Sequence, residues 1–245
     1  MKKFSNTYIF LFSSFLVIVV AAVLSFVSES LRPIQQLNVE IEKKQDILRS
    51  VGQAQDFATV ENKNTYILDL YAKYIKSSIV VNSKGEIIEG RDAFEITKDL
   101  KNEIAKPLEE RGLPIFIYED ENLVKRFVIP LRGKGLWGPI WGYVSLEDDF
   151  KTIFGTVFDH VSETPGLGAE IREIWFQKEF HGKKIFDESG KFVSVMVVKG
   201  GTEDSDLYAV DAISGGTITS KGLQYMLHDC LLSYENYFKS NMKKD

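Results

Sequence analysis

Residues 8–27 run without a charge and are interrupted only by Ser13, Ser14 and Ser25. At 1.5 Å per helical residue this stretch matches the roughly 30 Å hydrocarbon core of a bilayer. A spanning helix and a cleaved signal peptide both fit the pattern. The run exceeds the roughly 7 to 15 residues of a signal core, and no A-x-A-like site follows it, so a retained anchor is expected. Lys2 and Lys3 precede the run, and Glu29 follows it before Arg32. The positive-inside rule then places the N-terminus in the cytoplasm and everything after Val27 outside.

Beyond Pro33, which reads as a boundary, Ile34, Leu37, Ile41, Ile47 and Leu48 recur at near-helical spacing among polar residues, predicting an amphipathic helix. Residues 52–76 are mixed; Tyr66, Leu68, Leu70, Tyr71 and Tyr74 suggest a short helix. Residues 78–81 and 87–88 flank Asn82, Ser83, Lys84 and Gly85, a turn-rich linker that predicts a β-hairpin. A helix is expected over 93–105. Strands are expected over 114–118, 124–131, 140–146, 153–158, 192–198 and 207–210, with a helix over 169–178. From 221 to 239, Leu223, Met226, Leu227, Cys230, Leu231, Tyr234 and Phe238 follow helical spacing. The expected fold class is α+β: an N-terminal transmembrane helix, then a curved, mostly antiparallel sheet with packed helices. Three segments are expected: 1–30, the cytoplasmic end and spanning helix; 31–110, a membrane-proximal helical and hairpin region; and 111–245, a ligand-binding domain.

Composition narrows the chemistry. The chain has 245 residues, 44% of them apolar and 27% charged, which is ordinary globular usage with room for a sizeable core. A formal net charge of −5 speaks against a nucleic-acid surface, which needs clustered Lys and Arg. With one cysteine, Cys230, neither an internal disulfide nor an iron–sulfur cluster carried by this chain alone is expected. His160, His181 and His228 lack metal-ligand spacing, so no metal site is expected and any redox chemistry calls for an organic cofactor. There is no GxSxG elbow and no early GxGxxG, which argues against a hydrolase of that type and a dinucleotide fold. Glu147, Asp148 and Asp149 read as a solvated turn rather than a glycosidase pair.

Three glycine-rich loops remain: residues 133–139 (GKGLWGP), residues 160–168 (HVSETPGLG), and the turn from Asp211 to Ser220 (DAISGGTITS). Three such loops on one scaffold suggest one pocket. The last lies between an expected strand and an expected helix, where unpaired N–H groups and the helix dipole favour a phosphate. An ordinary Ser/Thr cap is the plain alternative from the local sequence.

DAISGGT resembles the flavinylation motif Asp-x-x-Ser/Thr-Gly-Ala-Thr of the FMN-binding family, and HVSETPGLGAEI resembles that family's second hallmark. The order of the two is the family's own. Within the family the chain is similar to the C subunits of Na⁺-translocating NADH:quinone oxidoreductases, through the single anchor, the helix with Gln35, Gln36 and Asn38, the GLWGPIWGYVSL segment, and VVKGG before the motif. The G subunits of Rnf-type, ferredoxin-linked complexes share both hallmarks and are the alternative.

The resemblance implies a covalent FMN esterified through its phosphate to Thr217, with Asp211, Ser214, Gly215 and Gly216 completing the motif. Gly216 stands where the family usually has alanine. Glu163, Thr164, Gly166, Leu167 and Gly168 are implied to line the flavin. Lys199 is a candidate partner for the phosphate and Trp137 a candidate cover for the ring; the plain alternatives are a solvated lysine and a packing tryptophan. No residue need act as acid, base or nucleophile in the redox step, because the flavin supplies that chemistry. The implied partners are the other membrane and peripheral subunits of a complex linking NADH, ubiquinone and Na⁺ transport. A flavin transferase for maturation and membrane lipid complete the set. The implied location is a bacterial inner membrane, with the C-terminal domain periplasmic. A non-redox ligand-binding or sensor module and a cofactor-free scaffold protein stay open.

Overall fold

The computed structural model describes residues 5–54, 60–203 and 205–242. The chain divides into two compact units, Met1–Lys43 and Lys44–Asp245. The first helix, α1 (Asn6–Ser50), is long and apolar enough to cross a membrane. Pro33 lies inside it and does not end it, contrary to the expected boundary. A proline removes one N–H from the ladder, and strong helical sequence on both sides carries the helix through that single loss. Lys2 and Lys3, which set the expected orientation, lie outside the described residues, as do residues 55–59 of the mixed segment.

The C-terminal unit is built on a five-stranded antiparallel sheet in chain order: β1 (Ile75–Val81), β2 (Leu113–Glu119), β3 (Lys125–Lys134), β4 (Pro139–Leu146) and β5 (Ile153–His160). The middle strands are apolar along continuous runs because both sheet faces are covered. One core holds Ile115, Ile129, Val144 and Phe158 with Leu223, Leu227 and Phe238 of the C-terminal helices. The other, on residues of opposite parity, holds Phe116, Val128 and Tyr143 with Ile47, Val51, Ala93 and Ile96. β1 lies before residue 110 and is hydrogen-bonded to β2 after it, so the expected division at 110/111 runs between two strands of one sheet.

The short helix after the mixed segment is α2 (Lys63–Tyr74), capped by the Asn62 side chain. The Asn82–Gly85 turn forms, with Ile88 N–H donating to Val80 C=O, but its second arm is a single bridge from Val81 to Ile87. Two apolar residues are too short an arm to compete with the seven-residue β2. The helix expected over 93–105 is two, α3 (Ala93–Lys98) and α4 (Leu100–Ile104), broken where Asp99 leaves helical dihedrals. The segment over 169–178 is a 3₁₀ turn, Gly168–Arg172, followed by α5 (Ile174–Lys178).

The two last strands are shorter than their apolar runs. β6 (Met196–Val198) starts after Ser194, whose φ of 60° breaks the extended run. β7 (Ala209–Asp211) pairs with β6 in parallel, Val198 beside Asp211, the exception in a fold expected to be mostly antiparallel. The terminal helix is also two: α6 (Thr217–Leu232), four residues longer at its start than the periodicity suggests, and α7 (Glu235–Asn241).

Candidate flavin-binding turn

β7 delivers the chain into the turn before α6, and the turn is shaped by its own hydrogen bonds. Gly216 N–H donates to Ile213 C=O at 3.0 Å, and Ser220 N–H to Gly216 C=O at 2.9 Å. Gly215 has φ +74°, and a side chain there would also press on Leu167, so both conformation and space call for glycine. Gly216, the N-cap of α6, has no side chain with which to cap. Among the described residues the amides of Thr217, Ile218 and Thr219 find no acceptor, leaving a helix start with open donors and the positive end of the dipole.

The three hydroxyls of the first turn differ sharply. Ser220 is buried, and its Oγ accepts from Ile213 N–H at 3.1 Å. Thr219 is 1% exposed and donates to Glu163 Oε2 at 2.5 Å. Thr217 is exposed, with no hydrogen bond among the described residues.

Glu163 joins the three glycine loops. It is 5% exposed, and its Oε1 accepts from Trp137 N–H at 2.8 Å while Oε2 accepts from Thr219. Gly135 and Gly168 approach it so closely that a methyl on either would lie 2.5 and 2.6 Å from its oxygens. The loop carrying it is fixed at both ends. Its own N–H donates to His160 Nδ1 at 3.2 Å, and the Gln177 amide donates to Phe158 and Arg172 carbonyls at 3.1 Å each. Gly222 lets α6 come close to the Lys134 carbonyl at the end of β3.

The residues singled out from sequence therefore divide. Ser214, Gly215, Gly216 and Thr217 form the turn; Leu167 packs over Gly215, and Gly216 sits close to Gly168. Thr164 and Gly166 shape the second loop, through the Thr164 carbonyl, which accepts from Leu167 and Ala169, and the Gly166 N–H, which donates to Glu170. Trp137 is 66% exposed at the mouth of the site. Asp211 points away and accepts from the backbone and hydroxyl of Thr202 at 2.5 and 2.8 Å, fixing the β6–β7 connection. Lys199 is exposed just past β6, with no partner among the described residues.

Two features escaped the sequence reading. Thr219 meets Glu163 across 56 positions, a contact no local pattern announces. Lys221 stands one helical turn beyond Thr217 on the same face, bonded to Gln224 at 3.2 Å; once the helix is known to start at Thr217, the i,i+4 spacing makes it a second candidate cation. Among the described residues no group of three or more His, Cys, Asp and Glu side chains is placed to hold a metal.

Residues 135–232, which contain all three loops except residues 133 and 134 of the first, match the FMN-binding domain family. The C subunit of the Na(+)-translocating NADH-quinone reductase of Haemophilus ducreyi is 31% identical over 79% of this chain and 77% of its own length. Its counterpart in Vibrio alginolyticus is 29% identical over 85% and 83%. The crystal structure of the same C subunit from Parabacteroides distasonis superposes with a TM-score of 0.72 at 40% identity, covering 88% of this chain and 98% of that one. Shewanella oneidensis NqrC superposes at 0.68 with 27% identity, covering 82% and 96%.

Proposed function

Because the chain belongs to the NqrC family, the C subunits of the Na(+)-translocating NADH-quinone reductases, we propose that it is that enzyme's membrane-anchored electron carrier, with FMN bonded through its phosphate to Thr217 Oγ1. Family membership sets aside the Rnf-type G subunit. It also sets aside the sensor and the cofactor-free scaffold.

The distribution of hydroxyls at the start of α6 carries this reading. Thr219 and Ser220 are buried and engaged, whereas Thr217 is exposed and unengaged beside three open amides. A phosphate esterified there sits where backbone donors and the helix dipole stabilise its remaining charge. Lys199 and Lys221 supply candidate cations, and Leu167 and Trp137 offer apolar surface at the mouth. Bound in this way, FMN supplies electron transfer. The chain's residues orient it and keep it from diffusing away. None donates or accepts a proton in that role.

Residues 8–27 span the inner membrane, with the N-terminus cytoplasmic and the C-terminal unit periplasmic. Maturation requires a flavin transferase, and lipid surrounds the anchor.

A denaturing gel of protein made together with its flavin transferase tests the bond. A fluorescent band is expected for the parent chain and for Thr219→Val, and a dark one for Thr217→Ala. A dark parent band sinks the covalent reading. Loss of fluorescence in Thr219→Val with retention in Thr217→Ala moves the acceptor to Thr219.

A further inference from the structure

We infer that Glu163 is a positioning residue that clamps the flavin-bearing turn from beneath. Family resemblance alone would make it part of the flavin lining. Its geometry gives it a different task, because both carboxylate oxygens are taken by the chain itself. Oε1 holds Trp137 N–H in the β3–β4 loop, and Oε2 holds the Thr219 hydroxyl in the first turn of α6. The residue is 5% exposed and walled in by Gly135 and Gly168. Its own backbone is tied to His160 Nδ1.

Three segments far apart in sequence, 133–139, 160–168 and 217–220, therefore meet at one side chain. No cation pairs with Glu163 among the described residues, so it acts as a double acceptor rather than as half of an ion pair. Glutamine can reproduce this geometry. Its carbonyl accepts from Trp137 N–H, and its amide donates to Thr219 Oγ1 after the hydroxyl rotates. Alanine leaves that N–H and a buried hydroxyl without partners.

The clamp is read first without flavin, by hydrogen–deuterium exchange on the full chain in detergent, produced without its transferase. Glu163→Ala is expected to speed exchange by about tenfold or more, the size of one lost buried hydrogen bond. The effect should appear together at the amides of Trp137, Ala169 and Ser220, while Glu163→Gln stays near the parent. The clamp is overturned if Glu163→Ala speeds exchange at Trp137 alone, or if Glu163→Gln loosens the site as much as alanine. Should Glu163→Ala not fold, Thr219→Val cuts one arm only. It is expected to speed exchange at Ser220 and leave Trp137 protected; unchanged exchange at Ser220 overturns the clamp.

The consequence for flavin rests on the phosphoester at Thr217 and is read separately on matured protein. Glu163→Ala is expected to keep a fluorescent band on a denaturing gel but to lower the anisotropy of flavin emission in the folded chain. Unchanged anisotropy overturns the link between clamp and flavin. A dark band in the parent overturns the phosphoester reading, while the exchange measurements still judge the clamp.

Discussion

Gly216 and Gly168 face each other across the candidate site, and a methyl has different consequences at each. At Gly216, with φ −98°, the backbone accepts alanine, and the added carbon would lie 3.0 Å from Ile213 Cγ2 and 3.3 Å from Gly168 N. That crowding offsets the roughly 0.4–1 kcal/mol gained from a less flexible unfolded chain. Gly216→Ala is expected to change stability by under about 1 kcal/mol in a denaturant titration and to keep the fluorescent band that the proposed phosphoester gives on a denaturing gel. At Gly168 the methyl would meet the Thr219 hydroxyl and lie 2.6 Å from Glu163 Oε2. Gly168→Ala should therefore cost about 1–3 kcal/mol in the same titration. Thr217 stands out in the sequence as a candidate because its motif is contiguous. The Thr219–Glu163 contact does not, since it depends on how two loops fold back across a sheet. Asp211 was legible as a motif member, but its role as an acceptor for Thr202 appears only once β6 and β7 are seen side by side.

The central strands were readable as apolar runs bounded by glycine and charge, and the sheet follows them closely. Within the C-terminal unit, the departures from expectation gather where an element is short. β6 and β7 have three residues each, too few for periodicity to signal pairing partner or direction, and the helix over 93–105 hides a break at Asp99. Beside that break, Glu103 on α4 is largely buried. It accepts from Arg91 at 2.9 Å, Lys106 at 2.6 Å and Gly112 N–H at 2.6 Å. Burial pushes its carboxyl up, but the Lys106, Gly112 and Arg91 bonds outweigh it and hold the pKa below the ordinary value. A depressed folded-state pKa stabilises above the unfolded value of about 4.3, and that stability fades as pH falls through the folded one. Glu103→Gln is expected to lose about 1–3 kcal/mol at neutral pH. The gap from the parent should close in acid, as read from denaturation midpoints between neutral pH and about pH 3.

Across the whole molecule, the division at Lys43 and Lys44 falls within α1, whose last turns belong to the C-terminal unit. Ile47, Leu48 and Val51 are 0–1% exposed. A chain beginning at Lys44 keeps all three, whereas one beginning at residue 53 is expected to be less stable than it by several kcal/mol through its emptied core sites. Thermal denaturation of the two truncations distinguishes them. The apolar N-terminal stretch was plain in the sequence; the overrun of its helix past Pro33 into the folded unit was not, because proline is a poor guide where flanking residues favour helix on both sides.

The first turn of α6 is shaped entirely by bonds within the chain: Gly216 to Ile213, Ile213 to Ser220, Thr219 to Glu163. Nothing in that set draws on Thr217, whose hydroxyl stands apart on the surface. On the phosphoester proposed at Thr217, folding comes first and esterification is a later event on a finished surface. Thr217→Ala protein should accordingly melt like unmodified parent, and a transferase supplied afterwards should still be able to complete a chain that folded without it.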